Sequence, residues 1–147
     1  SDATWPGWTF AQQDISTDGG DLVVAVSLTH DATAAVLAHV NGMTGIGSVL
    51  LASPTTRPGN KVIASGRHAF DLAESLALEI NRIKRLGRTV HLFIAAPNGF
   101  TFFLGQRQPS LGRIALYEYD FEGLNGGGYR VSLNLPISVS GQSGTAP

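Results

Sequence analysis

The stretch "DLVVAVSL", residues 21–28, is apolar at almost every position and rich in valine. A strand with one solvated face alternates polar and apolar residues. A continuous run is how a strand buried on both faces reads, and such strands belong to parallel sheets covered by helices. Two further runs have the same character, "GSVLLASP" at 47–54 and "TVHLFIAAP" at 89–97. Between them lie helical patterns. "ATAAVLAHVNG" suits a short helix stopped at Asn41-Gly42. After the loop "TTRPGN" and the segment "KVIASG", a helix is predicted from Arg67 to Leu86, with Ala69, Leu72, Ala73, Leu76, Ile80 and Ile83 at three- and four-residue spacing. Arg82, Lys84 and Arg85 fall in its last turn and Gly87 at the C′ position.

Residues 113–122, "RIALYEYDFE", form a fourth strand that begins apolar and then alternates. A "GLNGGG" turn joins it to "YRVSLNLP", where Tyr129, Val131, Leu133 and Leu135 alternate with polar residues, so this last pair reads as an antiparallel hairpin. The order β-α-β-α-β-(α?)-β-β implies an α/β fold with a mostly parallel central sheet and helices on both faces. Residues 1–20 read as an irregular arm or linker. Trp5, Trp8 and Phe10 in it pack either on the domain's own core or on the seam with an N-terminal partner. Residues 137–147 read as a flexible tail.

Charged residues make up 14% of the 147, against about 25% in ordinary soluble domains, so part of the surface is expected to be covered by a domain, a subunit or a ligand; the alternative is a bare, neutral, Gly-rich surface. A formal charge of −1 argues against tracking long nucleic acid but leaves room for a small nucleotide. The absence of cysteine removes disulfides and thiolate chemistry and fits the cytoplasm. No apolar run reaches the roughly 18 residues needed to span a bilayer, and no signal peptide opens the chain. The abrupt ends, "SDATWPGW" and "GQSGTAP", suggest a piece of a larger protein.

Ligands of open parallel sheets bind outside the carboxyl ends of the strands. Three such ends are readable: Ser27 to His30, Ser53 to Arg57, and Pro97 to Phe100. Their hydroxyls, amide, Arg and aromatic suit a phosphate and a base, or else the small polar residues are simply helix caps. "HLFIAAPNGFTFFLGQ" leaves two possibilities open. Asn98-Gly99 is a strong hairpin signal, which local chemistry slightly favours, while Asn98 at a strand end also suits the cap of a short helix. Dinucleotide, P-loop and nucleophile-elbow motifs are missing; the glycines of "GIGSVL" precede a strand instead of following one. His30, His39, His68 and His91 have no metal-ligand spacing, and no metal or cofactor is expected. His91, inside a strand, reads as a satisfied half-core residue, and Glu118, Asp120 and Glu122 as a solvated face.

Asp21 to Leu135 resembles the SAVED domain, a sensor of cyclic oligonucleotide second messengers in bacterial anti-phage CBASS defence. The residues that carry the likeness are "DLVVAVSLTHD", "LLASP", "FDLAESLALEINRI", and above all "HLFIAAPNGFTFFLGQ" followed by "GRIALYEYDF". The resemblance implies a CARF-like Rossmannoid fold, with residues 21–136 forming one half of the sensor, the C-terminal one, and an N-terminal half missing. It also implies a cyclic di- or trinucleotide ligand, a fused effector such as a nuclease, TIR domain, protease or membrane segment, and switching by ligand-driven oligomerisation in a bacterial cytoplasm. The chain itself would not be an enzyme, and neither long nucleic acid nor membrane would bind it. With the strand-end logic, the expected ligand-binding set is Ser27, Thr29, His30, Thr55, Arg57, Asn98, Gly99 and Phe100. Arg57 would pair with a phosphate, and Phe100 would stack on a base or anchor the helix. The resemblance also tips the segment after Ala96 to a short helix starting near Gly99 and capped by Asn98. The rival readings are a ring-nuclease using His30 as acid or base, and a ligand-free oligomerisation module.

Overall fold

The valine-rich run of residues 21–28 lies at the centre of a six-stranded sheet. A computed structural model describes residues 4–119 and 128–136. The elements are β1 (Trp8–Asp14), β2 (Asp21–Ser27), α1 (Thr33–Val40), β3 (Ile46–Pro54), α2 (Gly66–Ile83), β4 (Val90–Ala95), α3 (Asn98–Gly105), α4 (Gln108–Leu111), β5 (Ile114–Tyr119) and β6 (Tyr129–Leu135). The strand order is β1-β3-β2-β4-β5-β6. The inner four strands are parallel, while β1 runs antiparallel to β3 and β6 antiparallel to β5. This is the expected mostly parallel α/β sheet with an antiparallel C-terminal pair.

β2 is bonded on both sides, Val24 pairing with Leu50 of β3 and with Leu92 of β4. Its alternate residues feed two separate cores, which explains the missing alternation. Leu22, Val24 and Val26 pack with Leu72, Leu76 and Ile80 of α2 and with Phe100, Leu104 and Leu111. Val23 and Ala25 pack with Val36 and Val40 of α1 and with Phe93 and Tyr117. α1 therefore covers one face, and α2, α3 and α4 the other. The chain moves outward from β2 to β3 through α1, then back across β2 to β4 through α2. Right-handed crossovers in opposite directions place these two helices on opposite faces.

α2 starts where Ser65 accepts a hydrogen bond from the His68 N–H at 3.1 Å. It ends three residues earlier than its pattern suggests, because Lys84 is extended at φ −68° and ψ 153°. Arg85 and Leu86 thus lie past the helix, and Gly87, at φ 78°, serves the turn into β4 rather than the C′ position. Gly42, unlike Gly87, is not in the left-handed region; Gly45 is, at φ 79° just before β3.

The arm holds an element that the pattern hid. Residues 8–14 are an edge strand in which only Trp8 and Phe10 are apolar before "AQQD" faces solvent. Pairing with β3, from Trp8 opposite Pro54 to Asp14 opposite Ser48, orders it. The tryptophans pack on this domain's own core. Trp8 donates from Nε1 to the Leu72 carbonyl at 2.9 Å and meets Phe100 edge-on at 5.8 Å, and Trp5 lies 5.1 Å from the His68 ring. All of the "GLNGGG" turn but Gly128, with Asp120, Glu122 and the 137–147 tail, lies outside the described residues.

Leu76, fully buried between α2 and the sheet, makes the packing testable. Leu76→Ala is expected to lower unfolding free energy by about 2–5 kcal/mol, read by urea denaturation.

Candidate functional site

The parallel strands, taken as β3-β2-β4-β5, reverse their winding between β2 and β4, since β2 leads outward to β3 and β4 to β5. At such a switch point the loops leaving two adjacent strands diverge to opposite faces and open a crevice at the carboxyl edge. The crevice is present: a cavity of about 240 Å³ is lined by Thr29 and His30 after β2, by Ala95, Ala96, Asn98 and Thr101 at and beyond the end of β4, and by Tyr117, Glu118 and Tyr119 at the end of β5, with Tyr129 and Ser132 of β6 beside them. A larger cavity, about 360 Å³, lies at the opposite edge between Asp14, Ser16, Thr17, Ile83 and Arg85, at the amino ends of the strands. The switch-point cavity is where the sheet's geometry places ligand chemistry, and we take it as the candidate site.

Local structure fixes its walls. The Leu28 and Thr29 N–H groups both donate to the Ala95 carbonyl at 2.9 Å, holding the exit of β2 against the exit of β4. Ser27 is buried, and its Oγ accepts the Ala32 N–H at 2.9 Å, turning the chain into α1. Asp31 Oδ1 accepts the Thr33 N–H at 2.9 Å. That backbone bond, aided by the Thr33 hydroxyl, holds the Asp31 carboxyl below its ordinary pKa. Thr29 Oγ1 lies 3.4 Å from His30 Nδ1. Pro97 takes the cap position of α3, and Asn98 is its first helical residue, with no side-chain cap. The Asn98-Gly99 hairpin is excluded by the backbone: a two-residue turn of that type requires positive φ, which neither residue has. The helix expectation holds, with the start one residue earlier than the cap assignment.

Of the residues singled out in the sequence, Thr29, His30 and Asn98 line the cavity. Gly99 is exposed in the first turn of α3. Thr55 and Arg57 are exposed on the loop after β3, beside rather than within the cavity. That loop is tied to the same edge because the Gly59 N–H donates to the Leu28 carbonyl at 2.9 Å. Ser27 is a structural acceptor. Phe100 is fully buried in the α2-side core and offers no face for stacking, so of its two expected roles only that of anchor survives. The tyrosines, Thr101, Glu118 and Ser132 were missed. Treating β5 with β6 as a hairpin hid that β5 is also parallel to β4, which makes "YEY" a fourth strand end at the same edge.

The wall on the α1 side is aromatic. Tyr117 stacks on Phe93 at 4.1 Å and 15°, Tyr129 meets Phe93 edge-on at 5.0 Å, and Tyr119 meets Tyr129 at 5.0 Å. Burial pushes the Tyr117 phenol up, and the nearby Asp21 charge adds to this; Tyr129 is raised by burial and by Tyr119. His39, edge-on to Phe93 at 5.3 Å, is pushed down by burial, which favours its neutral form. Among the described residues no group of three or more His, Cys, Asp or Glu is placed to hold a metal ion.

Comparison with known proteins bears on this geometry. The sequence profile of SAVED, the SMODS-associated and fused to various effectors sensor domain, matches residues 1–135. The chain belongs to the SAVED family. A curated relative, CD-NTase-associated protein 4 of Enterobacter hormaechei subsp. hoffmannii strain UCI 50, is 29% identical over 119 residues, 80% of this chain and 24% of its own length. The Acinetobacter baumannii Cap4 SAVED/CARF-domain containing receptor with the cyclic trinucleotide 2′3′3′-cAAA superposes at a TM-score of 0.62 and 20% identity, over 87% of this chain and 27% of that one. The same receptor with 3′3′3′-cAAA gives 0.56 and 18% over the same shares. The SAVED chain described here therefore spans about a quarter of the length of these relatives. The structural likeness establishes the CARF-like fold. No helix among the described residues is long and apolar enough to cross a membrane.

Asp21 gives the acid response of this sheet. Burial opposes its ionisation, but hydrogen bonds from His91 and the Thr89 N–H, with the charges of His91 and Arg88, outweigh it and hold its pKa below the ordinary value. A depressed carboxyl stabilises the fold above the unfolded pKa of about 3.9, and that contribution is lost as pH falls through the folded value. Asp21→Asn is thus expected to be less stable than wild type at pH 6 and to lose less stability between pH 4 and pH 2, measured by urea denaturation across that range.

Proposed function

We propose that this chain is one CARF-like half, the C-terminal one, of a SAVED sensor that binds a cyclic oligonucleotide second messenger at the switch-point cavity. Binding would switch on a fused effector by ligand-driven oligomerisation, in anti-phage defence in a bacterial cytoplasm. The observation that carries the reading is the coincidence of family membership with a cavity at the carboxyl ends of β2, β4 and β5. Hydroxyls, an amide, an imidazole and tyrosine rings converge there. The receptors of similar fold solved with cyclic trinucleotides support the ligand class. The cavity's 240 Å³ is below the roughly 300–1,000 Å³ of sites that enclose a whole small ligand, which suits a surface that contacts part of a larger ring.

In this reading the exposed N–H groups at the start of α3 and the Asn98 amide donate to phosphate or ribose oxygens. Arg57 pairs with a phosphate from the neighbouring loop. Tyr119, half-buried at the cavity wall, takes the stacking role expected of Phe100, and Glu118 accepts from an exocyclic base amine. The chain acts as a receptor and leaves its messenger intact.

Calorimetry on the full-length parent protein with a panel of cyclic di- and trinucleotides tests this. One panel member is expected to bind. Arg57→Ala with Asn98→Ala is expected to weaken that binding at least about tenfold, and Tyr119→Ala by about 5- to 150-fold, the range for loss of one base stack. Wild-type affinity in the double variant would remove those two residues from the site. Messenger cleaved on incubation with the isolated sensor would replace the receptor by a ring-nuclease.

A further inference from the structure

Two motifs singled out in the sequence, "HLF" and "YEY", meet inside the sheet through a row of polar groups that ligand contact alone does not explain. The Tyr117 hydroxyl lies 2.7 Å from His91 Nδ1, and His91 Nε2 lies 3.0 Å from Asp21 Oδ2. Asp21 Oδ1 accepts the Thr89 N–H at 3.0 Å and faces Arg88 Nε at 3.5 Å. The row crosses three adjacent parallel strands, β5, β4 and β2, on the α1 side. It is largely shielded: the His91 side chain is 13% exposed and Tyr117 only 7%.

The donors can be ordered. Ionised Asp21 only accepts, so the His91 Nε2–H donates to it. A neutral ring has its acceptor at Nδ1, and the Tyr117 O–H donates to it in that state. His91 sits opposite Ala115, two residues back from Tyr117 along β5. The Tyr117 hydroxyl therefore points inward along the sheet, away from the carboxyl edge, while its residue lines the switch-point cavity. Phe93 stacked at 4.1 Å and the His39 ring edge at 5.5 Å flank the phenol, so the hydroxyl anchor decides its remaining freedom.

We propose that Asp21 and His91 are positioning residues for the ligand site: they hold Tyr117 as a fixed wall of the cavity and tie that wall to the amino edge of the sheet. The proposal rests on the sensor reading for what the cavity binds, but the fixing of Tyr117 is a property of the unliganded protein. His91 and Asp21 touch no ligand; they act through the tyrosine.

The test uses the full-length parent protein, with 2′3′3′-cAAA and 3′3′3′-cAAA as probes and ¹³C-labelled tyrosine for NMR. His91→Leu and Tyr117→Phe are expected to weaken probe binding by about 2- to 30-fold, the range for residues that tune a site without touching its ligand. His91→Leu is expected to increase the mobility of the Tyr117 side chain, read by relaxation of its Cβ, since the hydroxyl no longer fixes where the side chain lies. His91→Asn, whose amide oxygen replaces Nδ1 as acceptor, is expected to restore affinity to within about threefold of wild type. Leu76→Ala, on the opposite face, lowers the melting temperature but leaves affinity unchanged. Wild-type affinity in His91→Leu overturns the proposal, as does affinity that falls with melting temperature in every variant, Leu76→Ala included. If the wild type binds neither probe, the row is judged by NMR alone: unaltered Tyr117 side-chain mobility, read by Cβ relaxation, in His91→Leu overturns it.

Discussion

β2 is hydrogen-bonded along both edges and buried on both faces, and the rest of the structure is arranged around those four contacts. Its neighbours on either side are reached by crossovers running in opposite directions, so α1 and α2 occupy opposite faces. The same reversal separates the loops leaving β2 and β4 and opens the cavity at their carboxyl ends. Core and site thus share one cause. A residue such as Val24, 0% exposed, lies away from the cavity, yet it helps fix the spacing between Thr29 and Asn98 through the register of β2 on β4.

Legibility in the sequence follows the number of faces an element buries. β2, β3 and β4 announce themselves because both sides are covered, and α2 because one stripe is. β1 carries just two apolar residues on its inner face and is ordered by pairing with β3, a non-local event that no local pattern records. At the candidate site, the strand-end rule picked out Thr29, His30 and Asn98, which line the cavity. It failed at Phe100, since Asn98 and Thr101, three apart, take the cavity face of α3, while Phe100 and Leu104, four apart, form its buried face. It also failed to reach Tyr119, because the antiparallel pairing of β5 with β6 was read as its whole character. A strand can be parallel on one side and antiparallel on the other, and β5 is.

His91 shows why a bland reading and a functional one are not exclusive. A histidine inside a strand must satisfy both ring nitrogens, and Tyr117 and Asp21 do so. That satisfaction is structural in itself. It matters to the site because one partner is a residue of the cavity wall and the other anchors the start of β2. Polar groups buried in a sheet are costly unless fully paired, and once fully paired they permit few geometries. An apolar wall would fill the same space with less directional constraint.

The near-neutral charge bears on selectivity in the sensor reading. A strongly basic face would attract any polyanion, and long nucleic acids in a cell would compete through counterion release. A chain of net charge −1 has no such general attraction. Recognition must then come from short-range, directional groups: N–H donors at a helix start, a single arginine on an adjacent loop, and aromatic faces at fixed angles. These contribute only when phosphate, ribose and base arrive together in one spacing, which a compact ring presents and an extended strand does not. On this argument the near-zero net charge is itself part of how such a site would tell a small cyclic messenger from bulk RNA.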